Sequence, residues 1–203
     1  MTDLTLDHIV ICAERLEDGV AYLEDTLGVE MAPGGKHPQM GTHNRLLGLG
    51  TAYLEVIAID PDAPDPGRAR WFNLDRFQGP PRLTNWVART TDLKAALAQA
   101  PQGTGQPMLL SRGDLTWTIA ISDDGTLPFD GGFPGLIDWG TTAHPSTRLP
   151  DAGCRLTNLS IEHPDADALQ AALQDGPPAQ ITHGPTLRFT AEIATPHGPR
   201  ILT

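Results

Sequence analysis

Leu6-Asp7-His8-Ile9-Val10-Ile11-Cys12 decides the fold, because the rest of the chain reads as variations on this strand and the helix after it. Side chains of an extended strand alternate between two faces. Ile9 and Ile11 therefore share one face, and His8, Val10 and Cys12 share the other. The two isoleucines can cover a helix, so His8 looks into whatever the opposite face encloses. A lone strand histidine is ordinarily a hydrogen-bonded structural residue. This one matters more because the pattern around it recurs.

Working outward, residues 14–27 read as a helix. Leu16, Val20, Leu23 and Leu27 form one buried stripe, and Gly28 supplies the left-handed cap that ends it. A short strand is expected at Val29-Glu30-Met31, then a loop over residues 33–41 with Gly34-Gly35 and His37-Pro38 as breakers. Residues 43–49 and 52–60 read as a hairpin turning at Gly50-Thr51. In its second strand Tyr53, Glu55 and Ile57 share a face. A carboxylate inside so apolar a run is costly unless it is paired or holds a cation. Residues 61–82 are a proline-rich linker with a short helix near Arg68–Asp75. Its Trp71, Phe72 and Phe77 pack either outside the first module or over a cavity mouth.

The pattern restarts at Arg82. Residues 83–90 read as a strand, Asp92 as the N-cap of a helix over 93–99, and residues 107–111 and 115–122 as strands turning at Arg112-Gly113-Asp114. A Gly/Pro-rich loop leads to Leu136-Ile137-Asp138-Trp139-Gly140. Asn85 falls on the His8 position, and Asp138, by strand order, on the Glu55 position. Arg155-Leu156-Thr157-Asn158 then repeats the Arg-Leu-Thr-Asn of residues 82–85. A helix over 165–174 and strands near 179–182, 187–194 and 200–203 follow. There Asn158 takes the His8 position, and Ile201 or Leu202 takes that of Glu55, so this third unit carries no site. The expected fold class is α+β: repeated βαβββ modules, two of them paired into a curled mixed sheet around a cavity, with a third related C-terminal module. The expected divisions are 1–60, a linker over 61–82, 83–150 and 151–203.

Composition narrows the function. Lysines and arginines number 14 against 25 aspartates and glutamates, a net charge of −11. With no basic patch, nucleic acid and anionic membrane surfaces are poor partners. No run of about 18 apolar residues exists to span a bilayer. The start of the chain lacks the basic and apolar regions of a leader. Cys12 and Cys154 read as reduced thiols of a cytoplasmic protein, Cys12 as a small buried hydrophobe. No phosphate-binding glycine loop, dinucleotide fingerprint, nucleophile elbow or CxxC is present, so no nucleotide cofactor is expected.

Leu6-Asp7-His8-Ile9-Val10, Gly28 after the first helix, and Tyr53-Leu54-Glu55-Val56-Ile57 resemble the vicinal oxygen chelate superfamily. Gly41-Thr42-His43-Asn44, Arg70-Trp71-Phe72 and Ile137-Asp138-Trp139 extend the likeness to its glyoxalase-like-domain branch. The resemblance covers residues 5–141. It implies two paired modules whose first and fourth strands place four residues around a divalent metal. Those positions here are His8, Glu55, Asn85 and Asp138. The chain departs from the pattern at Asn85, where histidine is usual, and at Asp138, where glutamate is commoner.

Two function classes follow. In the first, the chain is a metal-assisted lyase or isomerase of the glyoxalase-like kind. A small vicinal-oxygen metabolite chelates the ion, which acts as Lewis acid, and Glu55 or Asp138 is the general base. In the second, a metal-free polar network, His8 bonded to Asp138 and Glu55 to Asn85, lines a pocket that binds or sequesters a small molecule without catalysis. Asn44, sharing a face with Leu46, is a candidate substrate contact. His43 at the rim and Arg89 on the Asn85 face are further ones, Arg89 suited to a carboxylate, though a solvated edge role suits both as well. Trp71, Trp86, Trp117 and Trp139 read as core, and the His-Pro pairs at 37, 144 and 163 as turn markers. An odd number of modules leaves a sheet edge or face to cover, which points to a homodimer.

Overall fold

Strand β1 (Thr5–Cys12) lies at the centre of the larger of two sheets, between β4 (Tyr53–Ile59) and β5 (Arg82–Arg89). The structure is a computed structural model that describes residues 4–174 and 176–203. Residues 1–3, which open the stretch read above as no leader, and Asp175 lie outside the described residues.

The first unit comprises β1, α1 (Leu16–Leu27), β2 (Lys36–His37), β3 (Thr42–Gly48) and β4; the second comprises β5, α2 (Leu93–Gln99), β6 (Gln106–Arg112), β7 (Leu115–Ile121) and β8 (Gly135–Asp138). Each first strand runs parallel to the fourth of its own unit, β1 with β4 and β5 with β8. The two first strands pair antiparallel with each other. The result is one eight-stranded sheet in the order β2-β3-β4-β1-β5-β8-β7-β6. It curls until its two edges meet: Arg112 at the end of β6 reaches His37 on β2, Nη1 to Nε2, at 2.9 Å.

The alternation read from β1 sorts the two faces. Ile9 and Ile11 join Leu23 and Leu27 of α1, with Leu54, Val56, Trp86 and Ala88, in a core on the convex face. Val10 and Cys12 join Ile57, Val87, Ile119 and Ile137 on the concave face. Gly28, at φ 71°, caps α1 in the left-handed conformation, its N–H donating to the Glu24 carbonyl. Asp92 caps α2 by accepting from the Ala95 N–H. The linker contributes a short 3-10 segment, Trp71–Arg76, in which Phe72 and Asn73 take positive φ (57° and 55°). Trp71, Phe72 and Leu74 are thereby packed into the concave face, the cavity-mouth alternative of the two expected.

Two details differ from expectation. Val29–Met31 is not a strand; a single bridge joins Ala32 to Leu46, and the short strand is Lys36–His37, inside the stretch read as a loop. The breakers around it made that stretch look irregular, yet it is the edge at which the sheet closes. The third unit, β9 (Arg155–His163), α3 (Ala166–Leu173), β10 (Gln180–His183), β11 (Arg188–Thr195) and β12 (Gly198–Leu202), keeps the order of element types but not the wiring. Its sheet runs β10-β9-β11-β12, so β12 lies beside β11 and not beside β9, and neither Ile201 nor Leu202 stands where Glu55 does. This sheet packs through Leu159, Ile161, Phe189 and Ile193 into the convex core. Among the described residues no helix is long and apolar enough to cross a membrane. Cys12 and Cys154 are both buried free thiols.

Candidate functional site

Inside the curl, His8 of β1 and Glu55 of β4 project from the concave face into a cavity of about 40 Å³. That is room for a few water molecules. Asn44 and Leu46 of β3, His37 of β2, Arg112 of β6 and the rings of Trp71, Trp117 and Trp139 complete the lining. Each polar residue arrives by strand alternation, which puts one neighbour in the cavity and the next outside.

These side chains form one continuous run of hydrogen bonds, joined between His8 and Glu55 by an ion-pair contact. Asp7 accepts from Trp139 Nε1 at 2.8 Å through Oδ2, which also lies 3.0 Å from His144 Nε2. Its Oδ1 lies 2.6 Å from His8 Nδ1. His8 Nε2 stands 3.4 Å from Glu55 Oε2, and Glu55 Oε1 accepts from the Asn44 amide. Asn44 Oδ1 in turn accepts from Arg112 Nη1 at 3.0 Å and from the Gly35 N–H at 2.9 Å. His37 completes the run, its Nε2 on Arg112 and its Nδ1 3.1 Å from Thr42 Oγ1. A Cβ on Gly35 would stand 2.7 Å from Arg112 Cδ, so the guanidinium reaches the cavity only across a glycine. Tyr53 stacks on the His8 ring, centroids 4.5 Å apart.

Charge is distributed unevenly along the run. Burial alone would lower the His8 pKa, but its bonds to Asp7 and Glu55 outweigh that and push it up to about 9. Burial would raise Glu55 and Asp7; their histidine partners instead hold both below the usual carboxylate range. His37 goes the other way: burial, with Arg112 beside it, pushes it down to about 4. At neutral pH the cavity therefore presents a protonated His8 beside an ionised Glu55, and a neutral His37 accepting from Arg112. Arg112 forms no ion pair among the described residues.

The other expected site residues stand elsewhere. Asp138 is half-buried and alternates with Ile137 and Trp139, which face the cavity; its carboxylate accepts from the Gly140 N–H at 2.7 Å. Register explains the slip. Val10 pairs with Glu55 across β1 and β4, and Val87 with Gly135 across β5 and β8. With Asn85 in the His8 position, Val87 is the counterpart of Val10, so Gly135 takes the Glu55 position and offers no side chain. Counting strands placed the carboxylate; counting residues within the pairing removes it. Asn85 lines a different cavity, beside Gly131. His8 bonds Asp7 and not Asp138, and Glu55 bonds Asn44 and not Asn85. His43 lies on the opposite face of β3 from Asn44. Arg89 is occupied by the main-chain oxygens of Leu6 and Thr51, at 2.7 and 3.3 Å.

This bears on the divalent ion implied by the resemblance. His8 Nε2 and Glu55 Oε2 have the separation of two donors sharing one ion, and Asp7 on Nδ1 is the outer partner that metal-bound histidines have. The donor set stops there. No group of three or more histidine, cysteine or acidic side chains able to hold an ion forms among the described residues. Asn44 spends its N–H on Glu55 and its oxygen on Arg112 and Gly35. The side chains present do not fit the four-donor site.

Sequence reasoning did not single out His37, Arg112, Asp7 and His144 for the site. Three were read as turn residues and one as a strand start, and only closure of the sheet brings them to His8.

A glyoxalase-like domain family model matches residues 6–176. No curated protein matches the chain. Among solved structures, a hypothetical protein from Staphylococcus aureus superposes with a TM-score of 0.64 at 12% identity, covering 91% of this chain and 88% of its own. A Streptomyces coelicolor methylmalonyl-CoA epimerase variant in complex with 2-nitronate-propionyl-CoA gives 0.45 at 17% identity, covering 70% of this chain and 99% of its own. The Mycobacterium tuberculosis methylmalonyl-CoA epimerase gives 0.43 at 18%, covering 70% and 91%.

Proposed function

The chain belongs to the glyoxalase-like domain family of the vicinal oxygen chelate superfamily, and from that premise we propose that it acts as an isomerase or lyase on a small oxyanion-bearing metabolite, moving a proton with its own side chains. The observation that carries this is the Asp7–His8–Glu55 run opening on the same cavity as Arg112. Environments that push two titratable groups apart assign their roles. His8, pushed up to about 9, is the acid that protonates a developing alkoxide or enolate oxygen. Glu55, held ionised, is the base that takes a proton from the adjacent carbon. Asp7 fixes the His8 ring and stabilises its charge. Arg112, without a carboxylate partner among the described residues, anchors the carboxylate of the metabolite. Trp71 Nε1, buried without a hydrogen-bond partner among the described residues, is a donor for a second ligand oxygen. The ligand needs more room than the cavity offers, which the segment carrying Trp71 and Phe72 provides by moving outward.

Binding without turnover is the second reading, favoured by the closure of the polar run on itself. One experiment separates the two. Small 2-hydroxy and 2-oxo acids are incubated with the protein in D₂O and exchange of the carbon-bound proton is followed by NMR. The proposal expects exchange that Glu55→Gln abolishes, that Arg112→Gln weakens through KM, and that chelators leave intact. Saturable binding with no exchange would establish the second reading. Activity that is lost to a chelator and restored by one divalent ion per chain would overturn the metal-free assignment.

A further inference from the structure

We propose that the cleft between β5 and β11 is a second ligand site, separate from the His8 cavity, that takes a small phosphorylated metabolite with an aromatic body. The cleft has a volume of about 460 Å³, within the range of sites that hold small molecules. It lies where the eight-stranded sheet meets the third unit, tied there by the Leu83 N–H donating to the Thr203 carbonyl at 3.0 Å.

Three arginines face it: Arg76, Arg82 and Arg188. The chain holds 14 lysines and arginines against 25 acidic residues, so three arginines on one cleft is a local reversal of its charge. None of the three forms an ion pair among the described residues. Arg76 donates to Asn73 Oδ1, and Arg82 donates to the carbonyls of Gln78 and Pro80 while lying 4.2 Å over the Phe77 ring. Asp130 is the acidic side chain on the lining, and it pairs with none of them. Guanidinium groups match phosphoryl oxygens in pairs of hydrogen bonds, and several convergent ones favour a multiply charged anion over a single carboxylate.

The floor of the cleft is Asn85, only 5% exposed. Its amide nitrogen lies against Gly131, where a Cβ would stand 2.8 Å from it, and an amide on the lining offers both a donor and an acceptor to a ligand. Asn85 holds the position equivalent to His8, so each half of the sheet directs its first-strand polar residue into its own cavity. Phe72, Phe77 and Phe189 supply flat apolar walls beside it. Cations at the rim and an amide with aromatic walls at the floor describe a ligand charged at one end and aromatic at the other.

The test uses phenyl phosphate, benzoate and benzyl alcohol as probes of the full chain, by calorimetry and by chemical-shift perturbation. The site predicts saturable binding of phenyl phosphate with a Kd of about 1 mM or tighter, with benzoate weaker and benzyl alcohol unbound. Arg188→Gln and Arg82→Gln, both exposed side chains whose loss leaves the core intact, each weaken phenyl phosphate at least tenfold. Arg112→Gln, in the other cavity, leaves it within twofold. Benzoate binding as tightly as phenyl phosphate would overturn the phosphoryl assignment. Binding that survives Arg188→Gln and Arg82→Gln, or that is lost with Arg112→Gln, would overturn the site. Since Arg76, Arg82 and Arg188 take no part in the proton transfer proposed above, failure here leaves that reading standing.

Discussion

Arg112 Nη1 lies 2.9 Å from His37 Nε2 and 3.0 Å from Asn44 Oδ1, and this one guanidinium joins the two edges of the eight-stranded sheet. Arg112→Gln gives a side chain too short to span the gap and takes the guanidinium donor from the buried His37 Nε2, while Asn44 Oδ1 keeps the Gly35 N–H. An unpaired buried acceptor costs about 1–3 kcal/mol. For a chain of this size that lowers Tm by roughly 2–10 °C. Amide exchange should accelerate in β2 and β6 and stay slow in β1 and β5. A variant with unchanged Tm and unchanged exchange at the edges would mean the sheet does not depend on this bond for closure.

Asp7 is fully buried and serves His8, Trp139 and His144 at once. Asp7→Asn preserves shape but strips the charge from a buried pair, which typically costs 3–5 kcal/mol. It should also let the His8 pKa fall from about 9 towards its ordinary value, since Glu55 alone remains as partner. Denaturant unfolding at pH 7 measures the first effect and an NMR titration of the ring the second. A titration unmoved by the substitution would show that Asp7 does not set the charge of His8.

His8 and Glu55 were legible because each interrupts an otherwise apolar strand. Alternation alone then fixes their face, and β1 and β4 are neighbours within one unit. The same logic reached Asn44, one strand away. It failed at Asp138, where the position within the strand depends on register against β5, and a slip of one residue turns a side chain to the other face. It did not reach His37 and Arg112, whose local sequences, His37-Pro38 and Arg112-Gly113-Asp114, carry turn chemistry. Their role comes from closure of the sheet between residues 75 apart in the chain, which no local pattern encodes. The third unit shows the same limit: its element order was visible, but strand order is set by tertiary pairing.

The register argument makes a prediction of its own. Among the described residues the Asp138 side chain bonds only the Gly140 N–H, so Asp138→Ala should cost about 1 kcal/mol of stability and leave proton exchange on the metabolite within twofold. Glu55→Gln should abolish that exchange. Parallel assays of the two variants, each checked for folding by circular dichroism, decide the matter. Loss of activity in Asp138→Ala would place Asp138 in the proton-transfer machinery and overturn the register reading.

His8 and His37 are displaced in opposite directions, and the sign of each fixes one limb of the stability curve. His37 is pushed down to about 4 from an ordinary 6.5. The unfolded chain therefore binds its proton first, and stability present above about pH 6.5 is lost as pH falls towards 4. His8 is pushed up to about 9. Its contribution is complete below about pH 6.5 and is lost as pH rises through 9, a total on the order of 3 kcal/mol. Tm should thus peak near pH 6.5 and fall on both sides, with the depressed carboxyls of Asp7 and Glu55 steepening the descent below about pH 4. The limbs can be assigned separately. His37→Gln should flatten the acid side between pH 4 and 6.5 and spare the alkaline one, while Asp7→Asn should flatten the alkaline side. A wild-type Tm constant from pH 7 to 9 would show that His8 is not held as a cation between its two carboxylates, and with it would go the acid assigned to proton transfer.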